Sequence, residues 1–176
     1  PYKGLFYIGK VLALLLHTLP NKHKKISKAN LELVFPHKTS LQINSILRDS
    51  LFHSIMNMLE AGLVWGNQDY KKKPGFINVK NFSKIETALS SNKGVLLFTP
   101  HIGNIEIIIN FLGQHTDCTI PYTPPKNKDL DKVITDSRNS AGVKMVETNV
   151  GGIKEMLLAL NNKKLVAVAS DQVPKR

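Results

Sequence analysis

The feature that most constrains the fold is an alternation of strand-like and helix-like segments from residue 71 onward. Two runs are apolar without interruption, Gly94–Thr99 (Gly-Val-Leu-Leu-Phe-Thr) and Leu165–Ser170 (Leu-Val-Ala-Val-Ala-Ser). Strands apolar on both sides belong inside a sheet covered on both faces. Shorter strands are predicted at Phe76–Val79, Thr119–Tyr122 and Lys144–Glu147. Between them lie a short helix capped by Ser83 with Glu86, and helices at Glu106–Leu112 and Leu130–Arg138. A last helix runs to Leu160 from Gly151 and Gly152, a pair that suits either an ordinary turn or an anion-binding helix start. Such alternation predicts an α/β fold, a mainly parallel sheet flanked by helices.

Residues 1–70 have a different character. Leu5–Leu16 is an apolar helix that ends near Pro20, and Ile26–Phe35 is a second helix stopped by Pro36. Thr39 with Gln42 makes a capping box. The helix it opens carries Ile43, Leu47, Leu51, Ile55, Leu59 and Leu63 at helical spacing, so one face must be covered. Lys71-Lys-Lys-Pro-Gly75 is the sharpest breaker in the chain. The expected organisation is an N-terminal, membrane-proximal helical segment over 1–70 and an α/β core over 71–176, together building one structural domain. The chain opens on Pro1 and stops at Arg176 just after a strand-like run. It therefore reads as a fragment, with the core truncated at its C-terminus and the isolated piece expected to be poorly soluble and inactive.

Charge narrows the partners. Lys and Arg number 24 against 13 Asp and Glu, a net charge of +11, which favours phosphate groups, acidic lipid surfaces, acidic proteins or nucleic acid. Leu5–Leu16 is too short to cross a bilayer, which takes ~20 apolar residues. With Lys22, His23, Lys24, Lys25 and Lys28 close behind it, the segment reads either as a membrane-surface element or as a core helix before a solvated turn. A nucleic-acid binder would show a basic helix or aromatics interleaved with basic residues, and only Phe76–Lys84 comes close. Neither a G-x-G-x-x-G loop nor a P-loop is present. The single cysteine, Cys118, sits in an apolar run and reads as a small core residue.

In open α/β sheets the ligand sits beyond the carboxyl ends of the strands. The polar residues just past the predicted strand ends are His101, Tyr122, Thr148, Asn149, Asp171 and Gln172. His101-Ile-Gly-Asn-Ile-Glu106 is the sharpest element. Histidine is the usual general base near neutral pH, and a carboxylate on its second ring nitrogen fixes its tautomer. Within one helix, five residues turn through about 500°, which separates His101 from Glu106. The pair works only with His101 in the loop and Glu106 in the first turns of the helix. Gly103 and Asn104 suit that entry, one for bending and one for capping. The bland alternative is a turn histidine and a solvent-facing glutamate. Arg138 comes after Leu130, Val133 and Ile134 on nearly the same helix face, so it points inward to meet an acid or a phosphate, or else snorkels outward. Asp171 and Gln172 orient Arg138 or the acceptor, or merely cap a loop. No His, Cys, Asp or Glu cluster has metal-ligand spacing, His115 and Cys118 being isolated, and no Gly-x-Ser-x-Gly nucleophile motif occurs.

A histidine, four residues and an acid after a Gly-Val-Leu-Leu-Phe-Thr strand resemble the signature of the lysophospholipid acyltransferase superfamily. His101-Ile-Gly-Asn-Ile-Glu106 is similar to its late acyltransferases of lipid A biosynthesis. That family usually has an aromatic residue after the histidine and another before the glutamate, where this chain has Ile102 and Ile105. Further matches are Asn30-Leu31 with Phe35-Pro36, Tyr122 with its prolines and Asn127, Arg138 then Gly142, and Leu165–Gln172 ending in Asp-Gln. The resemblance covers nearly the whole chain from Leu5 and lacks the family's stretch beyond Asp-Gln. It implies an O-acyltransferase of the cytoplasmic face of a Gram-negative inner membrane. The donor would be an acyl-carrier-protein thioester, with no other cofactor and no metal, and the acceptor a lipid A precursor hydroxyl. His101 would be the base and Glu106 the residue orienting it. Asn104, Arg138, Asp171, Gln172 and Tyr122 would contact substrate, with Gly103 and backbone amides near the oxyanion. The basic surface at Lys22–Lys28 and Lys71–Lys73 would meet anionic lipid and the acidic carrier protein, not nucleic acid.

Overall fold

The computed structural model describes residues 2–66 and 77–171. They form seven helices and four strands in the order α1 (Tyr2–Thr18), α2 (Lys22–Val34), α3 (Ser40–Gly66), α4 (Ser83–Ser90), β1 (Val95–Thr99), α5 (Ile105–His115), β2 (Cys118–Tyr122), α6 (Lys128–Ser140), β3 (Lys144–Glu147), α7 (Val150–Asn161) and β4 (Leu165–Ala169). The Lys71–Gly75 breaker, Phe76 and Gln172 lie outside the described residues. The chain divides into two compact units, Pro1–Glu60 and Ala61–Arg176, with α3 running through the division.

In the first unit α1 lies against α3. Gly9 makes the approach possible, since a Cβ there would stand 2.5 Å from the Met56 sulfur. Phe6 and Phe52 meet edge to face at 5.5 Å. Ile43, Leu47, Leu51 and Ile55 are buried along α3, the stripe that periodicity requires to be covered. The Thr39–Gln42 capping box forms in both directions, at 3.3 and 2.9 Å. Helix α2 begins earlier than Ile26, because the Asn21 side chain takes the Lys24 N–H at 2.8 Å and so starts the helix at Lys22. The basic residues Lys22–Lys28 thus lie on a helix. The outward face of α1 exposes Tyr7, Ile8, Val11, Leu12, Leu14 and Leu15, with Leu19 just beyond it. No helix among the described residues is long and apolar enough to cross a membrane.

The second unit is α/β. Its four strands are all parallel and stand in the order β1-β4-β2-β3, so the last strand enters between the first two. The centre of the sheet is the driest part. Leu165, Val166 and Cys118 are essentially inaccessible, and burying an aliphatic side chain this fully is worth ~1.5–3 kcal/mol. Ile109 and Leu112 of α5 pack on Cys118, Ile120, Leu165 and Ala167, with Phe82 and, from α4, Ile85 and Leu89 packed against the same core as Val95 and Leu97. Val166, out of phase with Leu165 and Ala167, faces the other side, and α7 packs against β2, β3 and β4.

Three expectations need correction. Strand β1 is at the edge among the described strands and not buried on both faces: Leu96 is 46% and Phe98 63% exposed, on a face where α7 packs against β2, β3 and β4. Ile77–Val79 form no strand. Ser83 lies inside α4, whose cap position is Phe82, and the Glu86 N–H bonds back to the Phe82 carbonyl at 3.2 Å.

Candidate active site

Strand order decides which residues meet at the carboxyl end of the sheet. In the β1–β4 register each residue lies beside its partner 70 positions on, from Val95 beside Leu165 to Thr99 beside Ala169. Continued two residues past the strands, this offset brings His101 to Asp171. The Asp171 carboxylate accepts the His101 backbone N–H at 3.0 Å and meets the ring Nδ1 at 2.6 Å. These two contacts, the backbone one first, hold the Asp171 carboxyl below its ordinary range. An ionised Asp171 fixes the Nδ1–H tautomer and leaves Nε2 as the free, basic ring nitrogen.

The loop that carries His101 leads into α5. Gly103 has φ +68°, and nothing lies within 4 Å of where its Cβ would be, so glycine is needed there for backbone conformation and not for space. Asn104 caps the helix, its side-chain oxygen accepting the N–H groups of Glu106 at 3.0 Å and Ile107 at 3.4 Å. Its Nδ2 is buried without a hydrogen-bond partner among the described residues. The Asn104 side chain therefore builds the helix start and does not line the cleft.

Glu106 is buried in the first turn of α5, yet it does not hold His101. It forms a bidentate pair with Arg138 of α6, Nη2 to Oε1 at 2.5 Å and Nε to Oε2 at 3.1 Å. The expectation that Glu106 orients the histidine is corrected: once His101 stays in the loop, the helix start turns Glu106 toward α6, and the neighbouring strand supplies Asp171. Likewise Asp171 does not orient Arg138. The inward direction expected for Arg138 is the one it takes. The Tyr122 ring lies over its guanidinium at 4.9 Å, and Nη1 reaches the Met145 sulfur at 3.9 Å. The Tyr122 hydroxyl donates to Asp131 at 2.7 Å, and burial, reinforced by Asp131, pushes the phenol up to about 12.

These elements enclose a cleft of about 440 Å³ at the carboxyl ends of the strands. Ile105, Ile108, Ile109, Leu112, Ile120 and Ala167 give it an apolar wall. His101, Tyr122, Arg138, Thr123 and Thr148 supply its polar groups, with the two threonine hydroxyls 2.8 Å apart. Asn149 instead caps α7 through the Gly152 N–H at 2.9 Å and bonds Glu147 at 2.6 Å. Gly152 is there for close packing, because a Cβ would fall 1.8 Å from the Glu147 carbonyl oxygen. Sequence reasoning missed Asp131. The available signal was its spacing from Arg138, since seven residues are nearly two full turns of one helix. Among the described residues no three His, Cys, Asp or Glu side chains gather as a metal would require.

The model of one family, described as bacterial lipid A biosynthesis acyltransferase, matches residues 1–176. The chain is 23% identical over 172 residues to a lipid A biosynthesis palmitoleoyltransferase of Escherichia coli (strain K12), covering 98% of this chain and 55% of that protein. It is 27% identical over 177 residues to a lipid A biosynthesis acyltransferase of Haemophilus influenzae, covering 97% and 54%. A lipid A biosynthesis lauroyltransferase of E. coli matches at 23% over 171 residues, covering 97% and 55%. The chain thus spans about half the length of these relatives.

Proposed function

Because the chain belongs to the bacterial lipid A biosynthesis acyltransferase family, we propose that the whole protein moves a fatty acyl chain from an acyl-carrier-protein thioester to a hydroxyl of a lipid A precursor. One observation carries this reading: a histidine whose Nδ1 is held by a carboxylate stands at the mouth of a cleft with an apolar wall. In the proposed step Nε2 of His101 takes the acceptor's hydroxyl proton while the oxygen attacks the thioester carbonyl. The tetrahedral intermediate collapses, the carbon–sulfur bond breaks, and the imidazolium returns the proton to the leaving thiolate. Asp171 stabilises the imidazolium. The amino end of α5 favours the developing oxyanion. The isoleucines of α5 offer the acyl chain a surface free of unpaired polar groups. Arg138, held by Glu106 beside Tyr122, gives the wall a fixed polar edge.

In the same proposal the exposed apolar side of α1 and the lysines of α2 meet the anionic cytoplasmic face of the inner membrane of a Gram-negative cell. The excess of basic residues attracts the acidic carrier protein. The test is lipid mass spectrometry on a host lacking its own late acyltransferases, complemented with the whole protein or with His101→Ala at equal expression. The expected result is a gain of one acyl chain on lipid A that the variant abolishes. A gain on phospholipid moves the acceptor within the superfamily, and no gain on any lipid overturns the reading.

A further inference from the structure

The apolar wall and the histidine leave one partly buried polar chain unexplained. It runs from Asp131 through Tyr122 and Arg138 to Glu106 and joins three elements: α6 supplies Asp131 and Arg138, β2 ends in Tyr122, and α5 begins with Glu106 in its first turn. From these contacts, and resting on the acyltransferase reading, we infer that Asp131 is a positioning residue for the cleft. Its carboxylate accepts the Tyr122 hydroxyl and so holds the ring over Arg138, which in turn grips the start of the helix that follows the loop of His101.

The geometry supports this in three ways. Asp131 and Arg138, two turns apart on α6, approach the Tyr122 ring from its hydroxyl end and from its face. A tyrosine ring has two main torsions, and a hydrogen bond at its tip removes the freedom that packing leaves. With the ring in place, Arg138 has one wall of aromatic carbon and one carboxylate, and its planar fork cannot rotate away from Glu106 without losing both. Asp131 itself does not line the cleft, so its effect must pass through Tyr122. The phenol provides an independent readout, because beyond the effect of burial Asp131 opposes its ionisation through both the hydrogen bond and the charge.

The experiment uses the whole protein in detergent with Asp131→Ala, Asp131→Asn, Tyr122→Phe and the Asp131→Ala/Tyr122→Phe double variant. Asp131→Ala and Tyr122→Phe are each expected to lower acyl transfer about tenfold, the scale of one hydrogen bond to a charged group. The double variant falls no further than either single one, because both break the same link. Asp131→Asn keeps an acceptor and stays within about threefold of the parent protein. Phenolate absorbance, taken as the difference from Tyr122→Phe, moves down from about 12 toward the ordinary tyrosine range in Asp131→Asn. Additive losses in the double variant, or an unmoved phenol with full activity in Asp131→Ala, would overturn the assignment. If the parent protein transfers no acyl chain, the functional reading fails by itself. The phenol titration then decides alone: a downward shift keeps the Asp131–Tyr122 link, and no shift ends it.

Discussion

Two base–carboxylate pairs stand near the same cleft and differ in almost every physical respect. Arg138 and Glu106 are 11% and 7% exposed, bidentate, and joined across two helices. His101 and Asp171 are 42% and 39% exposed and joined across two strand ends. Burial makes the first pair costly to break, because removing one partner leaves the other charge in a poorly solvated place. Exposure makes the second cheap to break, since water replaces the lost partner. The buried pair therefore belongs to the frame, and the exposed one is the pair to which the proposed function gives the proton transfer. Position and not residue type makes the difference, since each pair joins one basic side chain to one carboxylate.

That contrast can be broken by experiment. His101→Ala is expected to reduce acyl transfer by ~10²–10⁴-fold, the range for a general base, with the denaturant midpoint unchanged. A matching loss of midpoint would erase the distinction. Glu106→Ala is expected to do the reverse in emphasis, lowering unfolding free energy by ~3–5 kcal/mol as a buried guanidinium is left unpaired. Urea unfolding followed by circular dichroism measures it, and a cost under about 1 kcal/mol would place the pair with ordinary surface bridges.

Cys118 sharpens the same comparison. It lies in the core beside Ile120 and Leu165, and burial pushes its thiol up to about 11. Iodoacetamide at neutral pH should leave it unmodified in the parent protein and in His101→Ala, and should label it measurably faster in Glu106→Ala. The smallest effect concerns acid. Because Asp171 is held below its ordinary range, its stabilising contribution is fully present above the ordinary carboxylate value and is lost as pH falls through the lowered one. The midpoint difference between the parent protein and Asp171→Asn should be flat above pH ~4 and close below it.

Much of the frame was legible because its signals are local. The Thr39–Gln42 box, the Asn104 entry to α5 and the apolar run Leu165–Ala169 each rest on residues close in sequence. Helix periodicity placed Arg138 on the inward face and left open whether it meets an acid, meets a phosphate or snorkels outward; the acid it meets is Glu106. Strand order could not be read. Nothing in the chain announces that β4 enters between β1 and β2, and this insertion seats Asp171 beside His101. The five-residue spacing to Glu106 offered a nearer carboxylate, and proximity in sequence favoured the wrong partner. Among the described strands the same order leaves β1 at the edge, beside the three strands that α7 packs against, and a run apolar enough for a central strand keeps Leu96 and Phe98 exposed.

The most direct test of this division is the acyl-transfer rate of purified Asp171→Asn, taken with its urea midpoint. The structure predicts a fall of at least ~10²-fold, the lower end for a disabled general base, at a midpoint lowered only by the small acid-sensitive difference expected of an exposed carboxylate. A full rate in Asp171→Asn would contradict the account and return the orientation of His101 to another group.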